Sequence, residues 1–246
     1  MIKNRSTAIL ITLTVLLAMS FSTVMTKDTY NRVSPAAFIY LTTLIAIIIM
    51  VVYTFLIKRE RIPTELMTRR VWGYILQIAF FNFVTGTLGM FALNFMPAST
   101  NAYLSNFIGF ITMGLSIVIL KEHPGIWQLF GAIIAFSGLR VFFNQPPQGG
   151  EILGIALILV SITGVAYTNN IARKLALETE NKISNNIIST LALAIGGSVA
   201  VVIYLLIDGF PPIVPTVSDW LVILYSGLVA KAIGLTIWNL ILRTLR

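Results

Sequence analysis

The stretch YSGLVAKAIGLTIWN, residues 225–239, carries one lysine, Lys231, in an apolar run with no other charged residue within eleven positions on either side. An ammonium at mid-bilayer costs about 3 kcal/mol on insertion scales, so such residues usually face a cavity or a partner. The chemistry open to it is recognition of a carboxylate, phosphate or other anionic group. Helical spacing puts Gly227, Gly234 and Trp238 on its face, with Asn239 beside them. That face is small next to the charge and aromatic farther along. Asp28, Glu60, Glu65, Glu122, Glu151, Glu178, Glu180, Asp208 and Asp219 all fall in loops or at helix ends. The lysine should therefore meet carbonyls, amides, water or an incoming anion. The plainer alternatives are a lysine paired with Asn side chains in a packed bundle, or one deprotonated by burial and merely tolerated.

Two further groups lie at comparable depth. One helical face offers Asn82, Thr85, Gly86 and Gly89, and the following stretch offers Ser105, Asn106, Gly109, Thr112 and Ser116. Small and hydroxylated residues at spacings of three and four also serve close helix packing, and most of these need no other explanation. Asn82 and Asn106 are the main exceptions, and Thr85 joins them as a candidate substrate contact. Tyr103, Tyr167 and Asn170 stand near helix ends, where anchoring at the interface explains them better than gating does. His123 has no second His or Cys to complete a metal site, and Glu122 suits a cap or an ion pair. There is no cysteine, Walker loop or nucleophile elbow, so neither a cofactor nor enzymatic chemistry is expected.

The elements that position these residues follow from composition. Of 246 residues, 57% are hydrophobic and 11% charged, and the mean hydropathy is +0.89, outside the soluble range. A bilayer core needs about 20 residues of helix. Eight stretches supply it: Ser6 to Met25, Pro35 to Ile57, Trp72 to Phe95, Ala98 to Leu120, Gly125 to Phe143, Ile152 to Ala172, Ile183 to Ile207 and Trp220 to Leu242. Each is expected to be helical, because lipid cannot satisfy an open strand edge. The fold class is all-α, a polytopic membrane protein with eight transmembrane helices.

The formal charge of +8 reports orientation rather than a nucleic-acid partner. With the N-terminus cytoplasmic, most basic residues fall on that side, among them Lys58, Arg59, Arg61, Arg69, Arg70, Arg173, Lys174 and Lys182, while Lys27, Arg32 and Arg140 fall opposite. This is the positive-inside pattern, and it places both termini in the cytoplasm and the chain in the cell membrane. Trp72, Trp127 and Trp220 mark the interfaces. The first stretch is long and followed by further spans, and reads as a retained anchor.

The segment FFNQPPQGGEI, from Phe142 to Ile152, divides the chain into residues 1–143, a linker 144–151, and residues 152–246. Sliding the second part back by 149 residues lays Trp220 over Val71, Lys231 over Asn82 and Thr236 over Thr87, which suggests an internal repeat. A copy inserted after five spans must cross the membrane inverted, an arrangement that puts binding sites near the midplane between the copies.

The segment from Ala92 to Phe143, with Glu122 in its turn followed by Gly131 and Gly138, resembles the closing half of an EamA-type repeat of the drug/metabolite transporter superfamily. Gly109 stands where such proteins often carry a kinking proline, and is expected to be a weak point in its helix. The resemblance implies a ten-helix plan in two inverted five-helix copies, of which this sequence shows an incomplete second copy. It implies transport of small metabolites by alternating access, with export of amino acids or related anionic or zwitterionic compounds favoured, around a cavity lined by helices one, three, four, six and eight. The alternative is a truncated, non-transporting membrane protein, or a subunit completed by a homodimer or by complementing helices.

Overall fold

A computed structural model describes residues 5–122, 125–142 and 149–234. Among them there are eight helical rods and no strand. Helix one is Arg5–Thr29. Helix two is Pro35–Val51, continuing through a π-helical segment, Val52–Ile57. Helix three comprises Arg69–Ile78, a π-helical Ala79–Thr85 and Thr87–Ala92. Helix four comprises Ala98–Ser105 and Ile108–Ile119. Helix five is Ile126–Phe142, helix six Gly149–Glu178 and helix seven Asn185–Asp208. Helix eight is Val217–Tyr225, followed by a π-helical Ser226–Ile233.

Helices two, three, four, six and seven are each long and apolar enough to cross a membrane. Their outward faces carry exposed side chains such as Ile48, Val118, Leu153 and Leu206, a surface suited to acyl chains and not to water. The chain is a polytopic, all-α membrane protein.

Local sequence starts several rods in the same way. Ser34 accepts from Ala37 N at 3.0 Å ahead of Pro35, and Ser184 accepts from Asn186 N at 3.2 Å, so helices two and seven both open on a serine cap. Helices three and eight open on threonine: Thr68 accepts from Val71 N at 3.3 Å and Thr216 from Asp219 N at 3.2 Å. Each cap satisfies a backbone donor that the first turn leaves without a partner.

Helix two packs along helix seven in the most extensive contact of the bundle. The π segment of helix three lies on helix seven, and that of helix eight lies on helix two. Gly196 and Gly227 permit these approaches. A Cβ on Gly196 would overlap the carbonyl of Ala79, and one on Gly227 would stand 2.8 Å from Ile45 Cγ2 and 3.0 Å from Thr42 O. Removing side-chain bulk where helices cross lets backbones close up, the main source of packing energy in lipid.

Charges gather at the two ends. At the basic end Arg70 pairs with Glu178 (2.8 Å) and Arg173 with Glu122 (2.7 Å), while Asn186 Nδ2 donates to Glu60 Oε1 (2.6 Å). At the opposite end Arg32 Nε meets Asp219 Oδ1 at 2.9 Å and its Nη2 meets Asp28 Oδ2 at 2.8 Å.

Three expectations are corrected. Helix four breaks at Asn106 and Phe107, not at Gly109, which lies within the second segment. Helix six begins at Gly149, so the last residues of the expected linker are helical. Tyr167 and Asn170 are not interfacial anchors: Tyr167 donates to Gln77 Oε1 at 2.6 Å and buried Asn170 donates to Thr112 O at 3.0 Å, tying helix six to helices three and four.

Candidate functional site

Lys231 lies in the π-helical segment of helix eight. A π turn takes i→i+5 hydrogen bonds and so holds about one more residue than an α turn. Straight α geometry would carry residue 231 toward the side of exposed Leu224 and Leu228; the wider turn brings it beneath Ser226 and Gly227, which are both buried. Side chains tilt toward the N-terminus of their helix. The lysine stem can therefore run back over Gly227, where no side chain obstructs it, toward helix two. Its Nζ donates to Thr42 Oγ1 at 2.9 Å and to Thr43 Oγ1 at 2.7 Å.

The partners are thus hydroxyls of helix two, a helix outside the set expected to line the cavity. Among the described residues no carboxylate pairs with Lys231. Thr42 and Thr43 are buried, while Lys231 is only half-buried. Its neighbour Ala232 packs with Ala46, Met50 and Leu193, and partly buried Phe83 joins them. The alignment that laid Lys231 over Asn82 lays Ala232 over Phe83. Both π segments therefore reach one core cluster through matched positions.

The other expected contacts divide. Asn82 sits in the π segment of helix three, half-buried; its amide has no hydrogen-bond partner among the described residues. Thr85 is committed elsewhere: its hydroxyl bonds to Phe81 O, and a Cβ on Gly164 of helix six would meet that hydroxyl. It serves the packing of helix three on helix six. Asn106 is exposed, at the break in helix four. Trp238, Asn239 and His123 lie outside the described residues. Thr42 and Thr43 were missed by sequence reasoning, because two threonines in an apolar helix look like packing residues. The only sequence signal was two adjacent hydroxyls near the middle of a span.

The nearest rods are tied together by few polar links. Ser22 and Ser226 share a buried hydrogen bond of 2.8 Å between helices one and eight, and Ser161 donates to Gly86 O at 3.0 Å between helices six and three. At the end of the bundle, outside the apolar span, Asp219 is fully covered. Burial pushes its carboxyl up, but hydrogen bonds from Thr216 and Arg32 and the charge of Arg32 more than offset this and hold it below the ordinary aspartate value.

A helical bundle with long apolar rods and lipid-compatible flanks defines an integral membrane protein. Residues 6–144, more than half of the chain, match the EamA-like transporter family, and the chain belongs to that family. No curated protein matches it. Family membership makes membrane transport of a small molecule its class of activity.

Proposed function

We propose that the chain carries small metabolites bearing a negative group, amino acids or related anionic and zwitterionic compounds, across the cell membrane by alternating access, with export as the favoured direction. The observation that carries this reading is Lys231: a lysine at mid-span, held by two neutral hydroxyls, without a carboxylate among the described residues. A cation kept in hydrocarbon without a counter-charge is best accounted for by a mobile one. Asn82, at the equivalent place in helix three, is the second contact, with Asn106, Trp238 and Asn239 as the remaining candidates, while Thr85 belongs to the packing of helix three on helix six. We read the chain as a transporter and not as an enzyme.

The pairing of helix two with seven, and of the two π segments with them, supports an inverted repeat. The matched serine and threonine caps support it too. The basic end, carrying Arg70, Arg173 and Lys182, is taken as cytoplasmic, with both termini on that side.

The deciding experiment uses purified chain in proteoliposomes, with radiolabelled acidic, zwitterionic and cationic amino acids. Wild type should move acidic or zwitterionic compounds, and Lys231→Met should abolish most of that movement while inserting normally. Failure of wild type to move any anionic or zwitterionic metabolite would overturn the proposal. Native mass spectrometry of the same preparation would reveal a homodimer or complementing helices.

A further inference from the structure

Thr42 and Thr43 each have a single hydroxyl proton, and each proton is already committed to the backbone. Thr42 Oγ1 lies 2.8 Å from Phe38 O and 3.1 Å from Ile39 O, and Thr43 Oγ1 donates to Ile39 O at 2.7 Å. Toward the lysine, both oxygens can therefore act only as acceptors. An ammonium has three N–H bonds; the two threonines consume two of them, and among the described residues nothing accepts the third. Both threonines are neutral, so they hold the charge in place without cancelling it. Adjacent residues on a helix point about 100° apart, so only a nitrogen seated between residues 42 and 43 meets both oxygens. The rotamer freedom that a loose lysine would lose on gripping a ligand has thus been given up beforehand.

We infer that Thr42 and Thr43 are positioning residues that clamp Lys231 and aim its remaining N–H at a singly charged carboxylate on the ligand. The inference rests on the reading of Lys231 as a substrate contact and deepens it. A carboxylate is assigned over a phosphate because of charge. Among the described residues no second Lys or Arg bonds to this group, and a lone ammonium balances one negative charge and not two. Close approach at Gly227 sets the separation of helices eight and two, and the π turn sets the direction of the side chain; together they make the clamp reachable. Serine in place of both threonines keeps the acceptors, whereas valine removes them at nearly unchanged shape.

The test follows the amine itself. Purified full-length chain in nanodiscs is treated with a limiting amine-reactive reagent, and modification of Lys231 is followed by peptide mass spectrometry with exposed Lys182 as internal reference. Sodium benzoate, benzamide and sodium phosphate are the probes. Benzoate should slow labelling of Lys231 several-fold, benzamide should not, and phosphate should do so less than benzoate. Thr42→Val/Thr43→Val should lose the protection and Thr42→Ser/Thr43→Ser should restore it. Equal labelling with benzoate and benzamide in wild type, or protection retained in the valine pair, would overturn the clamp; equal or better protection by phosphate would overturn the assignment of a monoanion. If the valine pair does not fold, the wild-type comparison and the serine pair still decide, since a serine pair that folds but loses protection also overturns it. Protection without transport would sink the transport reading and leave the clamp; transport without protection would do the reverse.

Discussion

The ammonium of Lys231 and the hydroxyl of Thr43 meet at 2.7 Å although 188 residues separate them along the chain. The contact joins the π-helical segment of helix eight to the middle of helix two, across the close approach at Gly227. Two neutral acceptors are weak compensation for a lysine in an apolar helix, because interhelical hydrogen bonds in membranes average only about 0.6 kcal/mol each.

That imbalance yields a prediction. Lys231→Met removes a charge costing about 3 kcal/mol and two modest hydrogen bonds, so the variant should be as stable as wild type or more so. Thermal unfolding in detergent, set beside uptake, should show stability kept or raised and transport lost. A large fall in stability would mean that the lysine is structural.

Asn82→Ala separates contact from packing in helix three. The amide has no protein partner among the described residues, so its loss should alter stability by no more than about 0.5 kcal/mol. Uptake should fall if the amide faces the substrate path. Unchanged uptake would remove Asn82 from the site.

Gly196 and Gly73 form a matched pair. A Cβ on Gly196 would overlap the Ala79 carbonyl and stand 2.6 Å from its carbon, whereas one on Gly73 meets nothing within 4 Å. Gly196→Ala should cost about 1–3 kcal/mol by forcing helices three and seven apart. Gly73→Ala, which gains helix propensity, should be neutral or stabilising by up to about 1 kcal/mol. Unfolding midpoints of the two variants give the comparison directly.

The covered Asp219 gives a pH dependence. Its folded carboxyl titrates below the ordinary 3.8, so its stabilising contribution is complete above that value and is lost as pH falls through the lower, folded value. Asp219→Asn should lower the unfolding midpoint near neutrality and flatten the acid limb below about pH 4. An acid limb identical to wild type would show that this pair carries none of it.

How much of this was legible beforehand differs from residue to residue. The rods at 35–57 and 185–208 could be read off because lipid favours long runs of mostly apolar residues and each backbone group must be bonded within its own helix. Glu122 could be read as a salt-bridge residue from its place at a helix end, and it pairs with Arg173. Thr85 and Asn82 looked alike on one expected face, yet the hydroxyl of Thr85 serves packing against Gly164, while the Asn82 side chain has no partner among the described residues. The difference lies in the π turn between them and in the opposing helix, neither of which hydropathy encodes.

From the sequence alone came the bilayer as solvent, eight apolar stretches, one strongly basic end and a solitary lysine in an apolar run. These are local properties: lipid tests each residue against its own surroundings, one position at a time. Only the tertiary structure decided what the lysine meets. That depends on an extra residue in one helical turn and on the absence of one side chain at Gly227. It also depends on two hydroxyls from a helix far off in the chain, a coincidence of packing that no single segment specifies.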